Sequence, residues 1–186
     1  MSNIRIPEQA EPFSLPNLPE NSCITFIGMA GAGKTTVGRL VARSLDWAFA
    51  DSDHIIEATF GAALQSIADA MTKDAFIDME SEVVFDLHFT RTVISTGGSV
   101  IYREKSMEHL RSLGPIVYLD VPMPTILERI ARNPDRGLAI APGQTIEDLF
   151  REREELYRRY ADVTVAACGV TPAESAKRVL EKLAQL

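Results

Sequence analysis

The sequence predicts an α/β fold: a parallel sheet with helices on both faces. Three observations predict it. Short apolar, β-branched runs alternate with amphipathic helical stretches along the chain, the pattern of successive βαβ units. The first unit reads Ser22-Cys23-Ile24-Thr25-Phe26-Ile27, then Gly28-Met29-Ala30-Gly31-Ala32-Gly33-Lys34-Thr35. A helical stretch follows with Val37, Leu40, Val41 and Leu45 on one face. Strand, glycine loop, Lys-Thr and helix, in that order, form a P-loop in its required context. Finally, 186 residues with 46% hydrophobic content suffice for one such domain with a core.

The elements follow in order. Residues 1–21 carry Pro7, Pro12, Pro16 and Pro19 and read as a proline-rich extension, extended or disordered, or strapped along a domain spanning 22–186. After the first helix, Trp47 to Ala50 form a short strand ending at Asp51-Ser52-Asp53. Helical stretches are expected over Ile55 to Phe60, Ala63 to Ala70 and Asp74 to Phe89, the last with Phe76, Met79, Val83, Val84 and Leu87 at helical spacing. Thr92 to Ser95 read as the third strand, leading into Thr96-Gly97-Gly98-Ser99. A helix over Arg103 to Leu113 closes at Gly114-Pro115, and Ile116 to Leu119 form the fourth strand. Pro122 to Arg132 is a helix with proline near its start, where a missing N–H costs little. Residues 133–144 hold Pro134, Gly137, Pro142 and Gly143, which predicts a mobile loop. Thr145, with Asp148 three residues on, opens a helix to about Tyr160 in a capping pattern. Val163 to Ala166 form the last strand, and Thr171-Pro172 start the final helix.

Bulk properties exclude several classes. The net charge of −7 argues against nucleic-acid binding, which calls for a basic face. No apolar run approaches a membrane span, and no signal peptide is visible, so a cytoplasmic protein is expected. Cys23 and Cys168 lack metal-ligand spacing and read as reduced thiols. A monomer is expected. None of the three histidines is assigned a catalytic role.

The candidate chemistry centres on the loop. Gly28, Ala30, Gly31, Ala32 and Gly33, continuing into Lys34, Thr35 and Thr36, are the candidate ATP-binding residues. The helix points its positive end at the same phosphates. Lys34 is expected to reach the β- and γ-phosphates and Thr35 to offer its hydroxyl to Mg²⁺. Asp51 and Asp53 follow a strand's C-terminal end, the edge where ligands of open α/β sheets bind. One could hold Mg²⁺ through water, and the other could accept a proton from an acceptor hydroxyl. Either could instead cap the next helix. Asp120, after the fourth strand, is an alternative metal-side acid. Arg136, inside the loop, is a candidate lid arginine that offsets charge on the transferring phosphate.

With these positions in hand, the chain resembles the shikimate kinase family of small P-loop kinases. The likeness runs from about Cys23 to the C-terminus. Beyond the shared P-loop it rests on Asp51-Ser52-Asp53, the Gly97-Gly98 turn, Arg136, and Arg153-Glu154-Glu155-Leu156-Tyr157, similar to the family's Arg-x-x-Leu-Tyr signature. The resemblance implies a three-layer α/β/α P-loop NTPase fold. Its sheet has five parallel strands, with a lid and a small acceptor-binding subdomain after the second strand. It implies ATP-dependent phosphorylation of shikimate, with ATP and Mg²⁺ as cofactors. By position, Lys34, Asp53 and Arg136 become the catalytic residues, and Thr35 and Asp51 the metal side. Arg129 and Pro172 stack adenine. Asp53, Ile77, Gly97, Gly98, Ser99 and Arg153 line the acceptor site, with Arg153 gripping a carboxylate.

Three departures mark this chain. The family's Phe-Arg-x-x-Glu reads Phe76-Ile77-Asp78-Met79-Glu80, so Ile77 replaces a second carboxylate-clamping arginine. The third glycine of the turn is Ser99, and the lid's Arg-Pro-Leu-Leu is Arg136-Gly137-Leu138-Ala139. Lys73 or Arg103 could stand in for the lost arginine. An alternative acceptor such as homoserine would use Arg153 for its carboxylate and Asp74, Asp78 or Glu80 for its ammonium. A catalytically inactive nucleotide-binding module is a further alternative. A GTPase is disfavoured, because no Asn-Lys-x-Asp segment follows the fourth strand.

Overall fold

The structure is a computed structural model, and it describes residues 13–132, 140 and 143–186. Five parallel strands form one sheet in the order β2-β3-β1-β4-β5. They are β1 (Ile24–Ile27), β2 (Ala48–Asp51), β3 (Thr92–Ser95), β4 (Ile116–Asp120) and β5 (Val163–Ala166). β1 lies between β3 and β4 and is completely buried, which is why it reads as an unbroken apolar run. The helices are α1 (Lys34–Leu45), α2 (Ser52–Phe60), α3 (Leu64–Asp69), α4 (Lys73–Phe85), α5 (Glu104–Leu113), α6 (Met123–Arg132), α7 (Ile146–Tyr160) and α8 (Pro172–Leu183). This is the expected α/β/α architecture.

Local chemistry sets the element ends. Thr145 and Asp148 form a reciprocal capping box at α7, and Thr171 caps α8 with Pro172 at the first turn. α1 begins at Lys34, three residues before the apolar periodicity starts. α4 stops at Phe85, short of the expected Phe89. The carbonyls beyond it are used elsewhere: Leu87 O pairs with the His109 ring and Phe89 O with the Cys23 thiol. A short 3₁₀ turn at Val100–Tyr102, absent from the sequence reading, packs against α4 and α7.

Two apolar clusters result. The main one surrounds the sheet and includes Phe26, Val93, Val117 and Leu180. The second consists of Ile56, Leu64, Ile67, Phe76 and Met79, contributed by α2, α3 and α4. A separate core is what lets those helices stand as the small subdomain expected after the second strand. Part of the proline-rich stretch packs on the domain. Leu15 joins the main cluster, Phe13 N–H donates to Ser44 O (2.7 Å), and Asn17 Nδ2 donates to Ala184 O (3.1 Å). Among the described residues no helix is long and apolar enough to cross a membrane.

Candidate active site

The phosphate loop turns between β1 and α1, where the strand order switches sides around β1. Gly31 and Gly33 take positive φ angles of 81° and 100°, which L side chains rarely adopt. Gly33 caps α1 without any side-chain acceptor, so the first amides of the helix face the loop. Lys34 is buried and donates to Gly28 O (2.7 Å) and Met29 O (3.0 Å). Burial lowers its ammonium to a pKa of about 8 against the opposing pull of Asp53 and Asp51.

A cleft of about 730 Å³ opens from the loop. Ala30, Ala32 and Thr36 line it beside Gly31, Gly33 and Lys34, as expected. Gly28 does not; it lies beneath, where a Cβ would approach Leu119 O at 3.0 Å. Arg129 and Pro172 reach the cleft from α6 and α8. The Arg129 guanidinium donates to Gly31 O (2.9 Å) and Ala32 O (3.3 Å), which ties α6 to the loop.

The two acids at the end of β2 and the start of α2 divide their work. Asp51 Oδ2 accepts from the Thr35 hydroxyl (2.8 Å), and Ser95 Oγ lies 3.4 Å from the same hydroxyl. Asp51 Oδ1 accepts from Asp53 N–H (3.2 Å) and so caps α2. Capping and metal binding are therefore not alternatives for Asp51. Its carboxylate with the Thr35 and Ser95 hydroxyls is an all-oxygen donor set of the kind a hard divalent cation takes. Asp120, the alternative metal-side acid, is engaged otherwise: it accepts from Arg158 (3.0 Å) and Tyr118 (3.5 Å). Thr35 meets Asp51, not Asp120.

Asp53 enters the cleft. Burial, then the neighbouring Asp51, raise its carboxyl to a pKa of about 6. Across from it the Gly97-Gly98 turn leaves β3. A Cβ on Gly97 would collide with the Glu80 carboxylate and stand 2.9 Å from Asp53 Oδ1. A Cβ on Gly98 would stand 2.8 Å from Arg153 Nη1 and 3.3 Å from the Tyr157 hydroxyl. Space, not backbone conformation, demands these two glycines. Ser99 is buried and its hydroxyl donates a short hydrogen bond to Glu80. Glu80 is 1% exposed; burial, then Asp53, lift its carboxyl to about 7.

Arg153 is the bulkiest fully buried side chain among the described residues. Its Nε donates to the Tyr102 hydroxyl (3.2 Å), and its guanidinium carbon lies 5.2 Å from the Tyr102 ring centroid. It also bonds the Tyr157 hydroxyl, which donates to Gly98 O (2.7 Å). Lys34, Asp53, Gly97, Gly98, Ser99 and Arg153 are thus brought together as expected. Ile77 is buried, yet it belongs to neither apolar cluster. Arg136 and the lid segment Gly137-Leu138-Ala139 lie outside the described residues.

Tyr102 and Tyr157 were missed as site residues, and Glu80 was named only as a possible ammonium partner, not as the partner of Ser99. Tyr157 carried a signal in Arg-x-x-Leu-Tyr. Tyr102 carried none, since its partners lie 29 residues before it in Lys73 and 51 after it in Arg153. Of the acids offered for a homoserine ammonium, only Glu80 is buried in the site. Asp74 is exposed, the Asp78 carboxylate pairs with Arg103 at 2.7 Å, and Glu80 is taken by Ser99.

The family model for shikimate kinase matches residues 30–184. A shikimate kinase of Chromohalobacter salexigens is 36% identical over 166 residues, spanning 88% of this chain and 92% of that protein. One of Aromatoleum aromaticum is 37% identical over 159 residues, spanning 84% and 91%. The structure of shikimate kinase from Acinetobacter baumannii in complex with shikimate superposes with a TM-score of 0.80 at 32% identity, covering 89% of this chain and 94% of that one. The match spans the phosphate loop, the acids at the end of β2 and the start of α2, the paired glycines and the buried arginine of α7, and with it the chain belongs to the shikimate kinase family.

Proposed function

We propose that this protein transfers the γ-phosphoryl group of ATP to a hydroxyl of shikimate. The observation that carries the reading is the convergence of Asp53, the Gly97-Gly98 turn and buried Arg153 beside Lys34. The cleft then presents a hydroxyl-orienting carboxylate, with the paired glycines and the buried cation for the acceptor's carboxylate adjoining it. Residues 22–186 form the catalytic unit in this reading, working as a monomer in the cytoplasm, with no nucleic-acid or membrane partner.

The phosphate loop amides and the α1 N-terminus bind the triphosphate, while Arg129 and Pro172 flank the adenine. Thr35 and Asp51 would hold Mg²⁺, which supplies neutralising charge for the phosphates when bound. Asp53 accepts a hydrogen bond from the acceptor hydroxyl, aligns it, and takes its proton as the oxygen bonds to phosphorus. Lys34 leaves the Gly28 and Met29 carbonyls for the phosphate oxygens, and Arg136 adds charge from the lid. Arg153 grips the carboxylate, which makes the acceptor an acid and fixes which hydroxyl faces Asp53.

An ADP-release assay tests the reading. Saturable, shikimate-dependent ADP formation is expected, with homoserine at background. Arg153→Ala raises the shikimate KM by about 10- to 100-fold, the worth of one charge-assisted hydrogen bond. Homoserine turnover exceeding that with shikimate would defeat the proposal, and no turnover with either would favour an inactive nucleotide-binding module.

A further inference from the structure

Tyr157 is completely buried, and its hydroxyl meets three segments of the chain. It donates to Gly98 O (2.7 Å) in the turn after β3 and lies 3.9 Å from the Met29 thioether in the phosphate loop. The third partner is the Arg153 guanidinium, one turn back along α7. Packing does not call for that hydroxyl. The ring stacks on Tyr118 of β4, with centroids 5.2 Å apart and planes 21° apart, and a phenylalanine would stack as well. Burying a hydroxyl costs free energy unless hydrogen bonds offset it, so this oxygen serves as a fastening rather than a filler. Burial also raises the pKa of the phenol, which keeps its proton and stays a donor.

The partners belong to opposite ends of the cleft. Arg153 and Gly98 stand at the acceptor end. Met29 stands at the phosphate end, where its carbonyl and that of Gly28 hold the Lys34 ammonium at 3.0 and 2.7 Å. The stacked pair reaches the same place: a Cβ on Gly28 would lie 3.6 Å from the Tyr118 ring. The two backbones meet beside Tyr157, since a Cβ on Gly98 would stand 3.3 Å from its oxygen and 3.7 Å from Ala30 N. One side chain thus spans the seam between the acceptor turn and the phosphate loop. Phosphoryl transfer rests on positioning, and a misplacement of about 1 Å can cost about 100-fold in rate.

We propose that Tyr157 is a positioning residue whose hydroxyl keeps Arg153 and the Gly97-Gly98 turn in register with the phosphate loop, so that the acceptor hydroxyl, rather than water, meets the γ-phosphate. The inference rests on the shikimate kinase reading and deepens it: Arg153 grips the acceptor, and Tyr157 fixes where the gripped acceptor lies. When the register is lost, a water oxygen bonds to the γ-phosphorus in place of the acceptor oxygen. The bond from that phosphorus to the β-phosphate's bridging oxygen breaks, and ADP and inorganic phosphate leave.

Tyr157→Phe keeps the stacked ring and removes only the hydroxyl. Steady-state kinetics are read beside two product counts from the same reaction, ADP and phosphorylated shikimate. Tyr157→Phe is expected to lower kcat about 10-fold while moving the shikimate and ATP KM by less than about threefold. The ratio of ADP to phosphorylated shikimate should rise at least about twofold over wild type, as water takes a share of the turnovers. Partial unfolding would lower both counts together and leave that ratio unchanged. Tyr118→Phe, which loses a hydroxyl that donates to Asp120 (3.5 Å), keeps the wild-type kcat and ratio. A product ratio unchanged in Tyr157→Phe, a kcat within about twofold of wild type, or an equal loss in Tyr118→Phe overturns the inference while leaving the kinase reading intact. A wild-type protein that fails to phosphorylate shikimate overturns both.

Discussion

The two ends of the cleft are built from different materials. The phosphate end is mostly backbone: one loop of eight residues, three glycines at positive φ, and the uncapped start of α1. The acceptor end is mostly buried side chains, with Asp53 from α2, Glu80 from α4, Tyr102 from the 3₁₀ turn and Arg153 from α7. A backbone site depends on local conformation and tolerates changes at its non-glycine side chains. A side-chain site depends on contacts between residues far apart in sequence, and each member holds the next. Substitutions at the two ends should therefore fail in different ways.

The largest effect sharpens the contrast at its one exception. Lys34 is the side chain the phosphate end cannot spare, and Lys34→Ala is expected to lower kcat by about 10³-fold. Acceptor binding in equilibrium dialysis should be nearly unchanged. Loss of acceptor binding as well would merge the two ends into one unit.

The next prediction strains the acceptor end sterically. Gly98→Ala places a methyl 2.8 Å from Arg153 Nη1, so the guanidinium must shift. The shikimate KM should rise about 10-fold with the ATP KM unmoved, the cost of weakening one charge-assisted bond. Equal rises in both constants would break the distinction.

The pH profile separates the ends by titration. In the proposed mechanism Asp53 must be ionised to accept the hydroxyl proton, and its pKa is raised to about 6. The shikimate kcat/KM should fall about tenfold per unit below pH 6 and level off above it. An acid limb near pH 4 would mean that Asp53 is not the group that titrates.

The smallest effect concerns stability. The Glu80 carboxyl is raised to about 7 in the fold from an ordinary 4.5. The folded state holds that proton more tightly than the unfolded chain does. The stabilisation is thus complete below pH 4.5 and lost as pH rises through 7, worth roughly 3 kcal/mol. Glu80→Gln should flatten this dependence, so that the Tm difference from wild type shifts by about 5 °C in its favour between pH 5 and pH 8. A constant difference across that range would show that Glu80 is not strained by burial.

The same contrast explains what could be read from the sequence. The phosphate loop, the alternation of strands and helices, and the caps at Thr145 and Thr171 are legible because each is local, a few residues with fixed spacing. Asp51 and Asp53 were legible as a pair, although their division of labour depends on Thr35, sixteen residues before Asp51. The Glu80–Ser99 bond and the Tyr102 ring were invisible. They are contacts between segments whose approach only the sheet order determines, and neither leaves a periodic trace. The early end of α4 was missed for a related reason: the carbonyls that claim His109 and Cys23 belong to tertiary packing, not to helix propensity.

The stretch that Leu15 anchors has a practical consequence. Phe13 is tied to the end of α1, Asn17 to the end of α8, and Leu15 wedges into the main core. It acts as a clasp across the two helices that back the nucleotide cleft. Trimming the protein at Ser22, two residues before the first strand, would remove that clasp, leave an apolar notch in water, and loosen the seat of α1, the helix that follows the glycine loop.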